Sequence, residues 1–571
     1  MGLFKLSFLA AVLLNSAFGA PSAPMVDLGY AKYQGSVDPA TNITSFLGVR
    51  YAASPTGNGR FRAPKAPASV SGVQQATMQP PRCWQIEVAG LLSTNPFREN
   101  QTTSSSNPSQ LSATPSQRSL EHLHKRGATN VSDEDCLFLS VYYPSNSVGT
   151  TPYKLPVVVW IHGGGYLAGS SSQFRGSDLI EESDEDIVVV VIQYRLALLG
   201  FLAGTEVKAN GNLNVALLDQ QFALRWVQKY ISQFGGDPDH VTIWGESAGG
   251  GAILQQVIAN GGKTNPPLFK YAIASSPFTP SQYRYDEHIP QFIYDSVVSQ
   301  ANCTNANDTL ECLRQVPATV LHTIDVELNA YTFPGVYAFG PVVEGPGPDS
   351  LIQEGPIQAL NAGKVNGKSL LTVATAFEGW LFVNTSFPVA TSVSRYAFQV
   401  FPNLPLEYGP RIESLYAHVG STADKIIALY GETVFDCPAY GLAQAFPGSA
   451  YRGVFAIPPG HHGTDLQYYF PSLVVDVPVL NYPEFFNNTV FIDAFAKGFT
   501  AYVSSGNPNN AVSTVTPHWR KWSTRSPIEM VFNRTDGPVS GQRPFIHARE
   551  TDKQVLERCR FWASVGAYIG Q

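Results

Sequence analysis

Apolar residues in the middle of the chain form short continuous runs, separated by segments with helical periodicity. Residues 157–161 and 187–192 are entirely apolar, which is typical of parallel strands that are covered on both faces. Residues 214–234 predict a helix, which Gly235-Gly236 ends. The basis for this helix is four apolar side chains at spacings of 3, 4 and 4, namely Val215, Leu218, Phe222 and Trp226.

Three further runs, mostly apolar, continue this alternation at residues 240–244, 271–274 and 369–374. Strands that alternate with helices predict an α/β protein with a doubly wound sheet. Such sheets bind their ligands beyond the carboxyl ends of the strands. Motifs that follow these runs are therefore candidates for a functional site.

The motif Gly245-Glu246-Ser247-Ala248-Gly249 lies between the run at 240–244 and a helix-like segment at 252–258. A strand, a serine between two glycines and a helix form the arrangement called a nucleophile elbow. Glycine lacks a Cβ atom, so the backbone can bend sharply there and hold the serine clear of the sheet. The alternative interpretation is a glycine-rich loop in which the serine has no chemical role.

A second glycine motif, His162-Gly163-Gly164-Gly165, follows the run at 157–161. Acyl transfer through a serine builds negative charge on the carbonyl oxygen, and losing one donor to that oxygen costs on the order of 3 kcal/mol. Glycines allow backbone N–H groups to approach such an oxygen closely. The triple glycine upstream of Ser247 therefore indicates an oxyanion hole, although a flexible turn would have the same composition.

Longer stretches around these motifs carry a family resemblance. Residues 234–249, which contain the serine motif, and residues 134–144 match two signatures of the type-B carboxylesterases. The chain resembles this family, which includes cholinesterases, fungal lipases and the catalytically inactive neuroligins, from about residue 25 to the C-terminus. The resemblance implies an α/β-hydrolase fold: a single domain with a large, mostly parallel sheet flanked by helices and a long lid-like insertion.

The resemblance also implies a catalytic triad of Ser247, Glu378 and His462. Glu378 precedes a glycine after the run at 369–374, and His462 begins the segment His-Gly-Thr-Asp. His462 would accept the serine proton and Glu378 would orient the imidazole. The backbone N–H groups of Gly164, Gly165 and Ala248 would form the oxyanion hole. This chemistry needs no metal or organic cofactor.

Two positions near these residues are unusual. The base is the second of two adjacent histidines, because His461 precedes His462. The family more often has asparagine where Phe377 stands.

Six cysteines allow fifteen disulfide pairings, and the close spacing of Cys303 and Cys312 indicates a small closed loop. The family resemblance implies the pairs Cys83–Cys136, Cys303–Cys312 and Cys437–Cys559. It also implies two buried structural ion pairs, Arg50–Glu134 and Arg195–Asp219.

The N-terminus has the pattern of a secretory signal peptide, with a lysine, an apolar core and a small-x-small cleavage site. We assign residues 1–19 to the signal and residues 20–571 to the hydrolase domain. Even cysteine number and N-glycosylation sequons agree with secretion into an extracellular, oxidising environment. The eight sequons begin at Asn42, Asn100, Asn130, Asn302, Asn307, Asn384, Asn487 and Asn533.

Residues 94–132 are rich in Ser, Thr, Asn, Gln and Pro and predict a mobile surface insertion. The insertion contains Lys125-Arg126, which is either a solvated charge pair or a cleavage site for a secretory-pathway protease. The sequence does not decide between these two interpretations.

The net charge of −7 and the absence of a basic run argue against nucleic-acid binding. The apolar runs are too short for a transmembrane anchor, which needs about 20 residues. We therefore expect a small-molecule or lipid ester as the partner, and the oligomeric state stays open. Aromatic residues in 382–401 indicate either an apolar ester pocket or core packing, namely Phe382, Phe387, Tyr396, Phe398 and Phe401.

Three alternatives to a general secreted esterase follow from the resemblance. An interfacially activated triacylglycerol lipase needs a lid with an apolar underside, and the polar insertion is atypical of one. A cholinesterase is disfavoured, because the only tryptophan between Cys83 and Cys136 is Trp84, directly beside the first cysteine. A neuroligin-like binding module is disfavoured, because the chain keeps the serine, acid and histidine.

Overall fold

The computed structural model describes residues 23–86, 89–98, 131–145, 154–184, 186–387, 390–473, 485–511 and 515–571. The predicted signal peptide, the pair Lys125-Arg126 and the sequons at Asn100 and Asn130 lie outside these residues. No helix in the described ranges combines the length and the apolar character needed to cross a membrane.

An eleven-stranded sheet forms the centre of the molecule, with the strand order β16-β15-β14-β13-β12-β11-β9-β10-β8-β4-β3. A three-stranded sheet (β1-β2-β5) and a two-stranded sheet (β6-β7) accompany it. The strands are β1 (Met25–Asp27), β2 (Lys32–Gln34), β3 (Ser36–Asp38), β4 (Ile43–Arg50), β5 (Val73–Gln75), β6 (Arg82–Cys83), β7 (Ser132–Asp133), β8 (Phe138–Pro144), β9 (Leu155–Ile161), β10 (Val188–Ile192), β11 (Gly236–Glu246), β12 (Tyr271–Ser275), β13 (Ser369–Thr375), β14 (Ala450–Phe455), β15 (Ile528–Arg534) and β16 (Pro544–Glu550).

Helices connect the strands and cover both faces of the sheet. They are α1 (Gly176–Glu182), α2 (Ala197–Phe201), α3 (Thr205–Asn210), α4 (Val215–Tyr230), α5 (Ala248–Gly262), α6 (His288–Gln300), α7 (Thr309–Gln315), α8 (Ala318–Ala330), α9 (Pro356–Asn361), α10 (Val393–Val400), α11 (Gly409–Leu415), α12 (Thr422–Gly431), α13 (Cys437–Ala445), α14 (Leu466–Tyr469), α15 (Thr489–Ser505), α16 (Lys553–Ser564) and α17 (Gly566–Ile569). A π-helical turn, Glu432–Asp436, joins α12 to α13.

The centre of the sheet is parallel and its margins are antiparallel. β10, β9, β11, β12, β13, β14 and β15 pair in parallel, and β16, β8, β4 and β3 pair antiparallel with their neighbours. Alternate residues of β9 enter different apolar clusters: Val157 and Val159 join one, Val158 and Trp160 the other. Burial on both faces explains why this strand is apolar throughout, and the predicted mostly parallel α/β sheet is confirmed.

Helix α4 begins and ends close to the predicted bounds. Gly235, at φ +80°, follows a short 3₁₀ turn after the helix and leads into β11. The buried face of α4 is wider than the single row of residues used for the prediction. Leu217 and Leu224 are fully buried, whereas Leu218 and Phe222 are only partly buried. The 3, 4, 4 spacing therefore identified the helix but only one margin of its buried surface.

One predicted ion pair is wrong. Arg50 pairs with Asp135 at 2.7 Å, not with Glu134, and both partners are partly exposed. Glu134 is buried and accepts a hydrogen bond from Arg60 Nη2 at 2.8 Å. Glu134 lies at a bend in the segment leading to β8, and the two neighbouring carboxylates point to different partners, Glu134 to Arg60 and Asp135 to Arg50. Only one of the two therefore faces Arg50.

The other predicted ion pair and all three predicted disulfides are present. Arg195 and Asp219 form a buried ion pair, with Nη2 and Oδ1 2.7 Å apart. The structure contains three disulfides: Cys83–Cys136, Cys303–Cys312 and Cys437–Cys559.

The start of the predicted mobile insertion is bound to the body of the protein. Asn95 is buried, and its side-chain amide donates to the Gln399 carbonyl oxygen at 2.6 Å. Arg98 donates to the Phe398 carbonyl oxygen at 2.8 Å. Residues 95–98 thus differ from the prediction, because their polar groups have partners on α10. The remainder of the insertion up to residue 130 lies outside the described residues.

Candidate active site

Ser247 lies at the sharp turn between β11 and α5, beyond the carboxyl end of the strand. Its backbone has φ 58° and ψ −125°, a region that non-glycine residues rarely occupy and that costs on the order of 1–3 kcal/mol. Gly249 makes the turn possible, because a Cβ atom there would lie 2.0 Å from the Ile161 carbonyl oxygen at the end of β9. The strand, the strained serine and the helix have the geometry of a nucleophile elbow.

His462 contacts both of the other residues of the predicted triad. Its Nε2 lies 2.8 Å from Ser247 Oγ, and its Nδ1 lies 2.5 Å from Glu378 Oε2. The three side chains come from loops after β11, β13 and β14, and all three are buried. The fold thus brings together residues that are more than 200 positions apart in the chain.

The second oxygen of Glu378 is held by two donors. Ser276 Oγ donates to Oε1 at 2.6 Å, and the Thr375 amide donates to the same atom at 2.6 Å. Ser276 follows β12 directly, so the neighbouring strand supports the acid. These bonds fix the carboxylate so that its other oxygen faces the imidazole.

The glycine loop after β9 lies against the elbow. A Cβ atom on Gly163 would be 2.9 Å from Ser247 Cβ. Gly164 has φ +105°, and its carbonyl oxygen accepts hydrogen bonds from the amides of Leu167 and Ala168, both at 2.9 Å. Among the described residues, no backbone carbonyl accepts a hydrogen bond from the amides of Gly164, Gly165 or Ala248.

The first residue of the glycine-loop motif, His162, packs against Tyr194. The His162 ring stacks on Tyr194 with centroids 4.5 Å apart, and Tyr194 Oη donates to the His162 carbonyl oxygen at 2.8 Å. Burial lowers the pKa of His162 to about 4, so the ring is neutral at physiological pH. The lower pKa makes His162 a weaker proton acceptor than His462, which is the histidine that contacts Ser247 Oγ.

Two further buried carboxyl groups surround His462. Glu246 Oε1 lies 3.4 Å from His462 Nε2, and burial raises the pKa of Glu246 well above its usual value. Asp465 is fully buried, and burial raises its pKa as well. Burial by itself lowers the pKa of His462, but the charges of Glu246 and Glu378 outweigh this and raise it.

Aromatic rings cover the remaining sides of the base. Phe435, on the π-helical turn, lies 4.6 Å from the His462 ring between centroids, and Phe382 lies 5.2 Å away. Phe278 packs against both of these rings, and its amide donates to the Ser247 carbonyl oxygen at 3.0 Å. These three aromatic side chains therefore form a wall beside Ser247 and His462.

An apolar cavity of about 50 Å³ lies beyond this wall. Tyr337 is shared between the two, because it lines the cavity, packs on Phe278 and approaches the Cβ position of Gly165 to 3.5 Å. Much of the rest of the lining is aliphatic, aromatic or proline, including Ile293, Phe339, Val400, Phe401 and Pro402.

The aromatic residues between 382 and 401 contribute both to the site and to core packing, the two roles that the sequence suggested. Phe382 contacts the base and Phe401 lines the cavity. Tyr396 is fully buried in the core. The aromatic side chains of this segment therefore contribute both to core packing and to the site.

Several contacts of the site were not predicted. Ser276, Phe435 and Tyr337 carry no motif, and their approach depends on how distant loops fold together. Glu246 lies inside the serine motif and Asp465 inside the histidine motif. Their positions in these motifs were the sequence feature from which their place in the site could have been predicted.

Comparison with known proteins shows the family of the chain. A model described as the carboxylesterase family matches residues 22–562. The chain belongs to the carboxylesterase family. Carboxylesterase patB of Aspergillus clavatus is 29% identical over 537 residues, which cover 89% of this chain and 92% of that protein. Secreted lipase 1 of Botryotinia fuckeliana is 28% identical over 588 residues, which cover 92% of this chain and 95% of that protein.

A solved structure extends the likeness to three dimensions. The crystal structure of Aspergillus niger EstA has a TM-score of 0.78 with this carboxylesterase, at 29% identity, over 96% of this chain and 99% of that one. The predicted resemblance to type-B carboxylesterases and the α/β-hydrolase fold are confirmed. The protein is a carboxylic ester hydrolase of the carboxylesterase and lipase family.

Proposed function

We propose that this carboxylesterase is secreted and hydrolyses esters through an acyl-enzyme formed on Ser247. The observation that carries the proposal is the continuous contact from Ser247 Oγ to His462 Nε2, at 2.8 Å, and from His462 Nδ1 to Glu378 Oε2, at 2.5 Å. A serine needs a base within hydrogen-bond reach and a group that orients that base. This arrangement has both.

In the first half-reaction, His462 Nε2 accepts the proton of Ser247 while Oγ attacks the ester carbonyl carbon. Glu378 stabilises the imidazolium that results. The tetrahedral intermediate carries its negative charge on the former carbonyl oxygen. Its collapse breaks the bond to the leaving alcohol, and His462 returns the proton to that alcohol.

In the second half-reaction, water takes the place of the alcohol. His462 removes a proton from water, and the hydroxide oxygen attacks the acyl carbon. Collapse of the second intermediate breaks the bond to Ser247 Oγ and gives the carboxylic acid, while His462 reprotonates the serine. Atoms and charges therefore balance without a cofactor.

The oxyanion formed in both steps is assigned to the amides of Gly164, Gly165 and Ala248. These amides lack backbone acceptors among the described residues. Ala248 directly follows Ser247, and Gly164 and Gly165 follow Gly163, whose Cβ position lies 2.9 Å from Ser247 Cβ. Donors that the backbone fixes before the reaction need no reorganisation when the charge develops.

The secreted location is supported by the N-terminal apolar segment, by the disulfides and by the name of the relative Secreted lipase 1. The sequons of the described residues are also accessible. Their asparagines are all partly or fully exposed; these are Asn42, Asn302, Asn307, Asn384, Asn487 and Asn533.

The most direct test of the proposal is the variant Ser247→Ala. Turnover of p-nitrophenyl butyrate should fall by about 10⁶-fold, while binding of a non-hydrolysable ester analogue is retained. A variant that still turns the ester over at a comparable rate would exclude Ser247 as the nucleophile.

A triacylglycerol lipase is the second candidate, favoured by the apolar cavity beside Tyr337. The two candidates differ in their response to an oil–water interface. Rates on p-nitrophenyl esters from acetate to palmitate, with and without emulsion, separate them. A jump in rate above the solubility limit of a long-chain ester would support the lipase, and saturation below that limit would support the esterase.

A further inference from the structure

His461, the first of the two adjacent histidines, takes no part in the proposed proton transfer. We propose that His461 and Trp380 act as a positioning clamp: their stacked rings hold the loop of the base against the loop of the acid. This inference rests on the proposed function, because it assigns a role relative to Glu378 and His462.

The two rings form a parallel stack. Their centroids are 4.0 Å apart and their planes differ by 4°. Trp380 lies two residues after Glu378 in the short turn Glu378–Leu381, and His461 lies directly before His462. The stack therefore joins the two loops beside the residues that must meet.

Trp380 is 50% exposed, so core packing does not account for its position. A large exposed apolar ring is ordinarily mobile on a surface, and stacking restricts it. The neighbouring aromatic Phe377 is 59% exposed, and the stack consists of Trp380 and His461 without it. The two aromatics thus differ in contact although they share one loop.

Other contacts order each loop separately. The Gly379 backbone lies so close to α12 that a Cβ atom there would be 2.0 Å from the Ile427 carbonyl oxygen. The His461 carbonyl oxygen accepts hydrogen bonds from the amide and hydroxyl of Thr464, at 3.1 and 2.7 Å. Between the loops, the Phe377 amide donates to the Gly460 carbonyl oxygen at 2.9 Å. The ring stack adds a side-chain contact to this backbone contact.

The consequence concerns the bond between Glu378 Oε2 and His462 Nδ1, which is 2.5 Å long. Catalytic geometry is sensitive, and a displacement of about 1 Å can lower a rate by about 100-fold. Loss of the stack would let the base loop shift relative to the acid. The expected effect is a lower kcat with little change in KM, because neither ring lines the cavity beside Tyr337.

The test compares variants that remove or retain the stack. His461→Ala and Trp380→Ala should each lower kcat for p-nitrophenyl butyrate by about 2- to 13-fold, the range that an aromatic pair supports. His461→Tyr and Trp380→Phe keep a flat ring and should restore most of the rate. Thermal unfolding and circular dichroism check that each variant is folded.

Phe377→Ala is the matched control, since it removes an exposed aromatic from the same loop and leaves the backbone hydrogen bond. Its kcat should stay within about twofold of wild type. The double variant His461→Ala/Trp380→Ala should be no slower than the slower single variant, because both substitutions remove the same ring stack.

Three results would overturn the clamp in an active wild-type enzyme. They are unchanged kcat in both alanine variants, an equal loss in Phe377→Ala, and independent multiplication of the two single losses. A failure of the proposed function looks different, because Ser247→Ala would then retain turnover. If His461→Ala does not fold, Trp380→Phe against Trp380→Ala decides the same question by kcat.

Discussion

At the scale of single residues, His462 lies between two carboxyl groups that approach different ring nitrogens. Glu378 contacts Nδ1 at 2.5 Å, and Glu246 lies 3.4 Å from Nε2. Both charges favour the imidazolium and raise the pKa of His462 against the opposing effect of burial. The base must lose this proton before it can accept the serine proton, so activity should increase as the pH rises through its pKa.

The variant Glu246→Gln tests this relation. It removes the charge beside Nε2, so the pKa of His462 should fall and the acid limb of kcat/KM should move to lower pH by about one unit. The measurement is a pH profile of p-nitrophenyl acetate hydrolysis. Glu354→Gln, which removes a carboxylate paired with Lys364 away from the site, should leave the limb unchanged. A shift of the limb to higher pH in Glu246→Gln would contradict the assignment.

At the scale of elements, the site is assembled from five loops at the carboxyl ends of neighbouring parallel strands. The loop after β9 supplies the glycines, and those after β11, β12, β13 and β14 supply Ser247, Ser276, Glu378 and His462. The sequence could predict the elbow and the glycine loop beside it because each is a local motif whose glycines report a backbone requirement. It could not predict Ser276 or the Trp380–His461 stack, because these contacts form between loops that are distant in the chain.

The ion pairs show the same limit. Family resemblance predicted the Arg195–Asp219 pair, which is present, and assigned Arg50 to Glu134, which is wrong by one residue. A choice between adjacent carboxylates depends on the direction of the side chain, and the sequence pattern does not contain that direction.

The Arg195–Asp219 pair joins the segment after β10 to helix α4, so it should contribute to stability as a link between elements. Asp219→Asn would leave Arg195 buried without its counter-charge and should lower the free energy of unfolding by about 3–5 kcal/mol. Glu557→Gln breaks an exposed pair with Arg411 of similar length and should cost less than about 1 kcal/mol. Urea unfolding curves measure both, and equal losses would show that burial is not the cause.

At the scale of the whole molecule, the disulfides determine which pieces stay together after cleavage. Cys83–Cys136 encloses the polar insertion and Lys125-Arg126. One cut by trypsin inside this segment should therefore give a single band of intact size without reductant and two bands with it. Two bands without reductant would contradict this disulfide. The same gels, run on protein secreted from cells, test the proposed cleavage at Lys125-Arg126: one band under both conditions excludes it.

The central claim is the acyl-enzyme on Ser247, and trapping that intermediate tests it most directly. The enzyme is mixed with excess p-nitrophenyl butyrate, quenched in acid within the first turnovers and digested for mass spectrometry. We predict that the peptide containing Ser247 gains the mass of one butyryl group, and that His462→Ala abolishes this gain. An acyl group on another residue, or full turnover with Ser247 unmodified under conditions where deacylation is slow, would contradict the account.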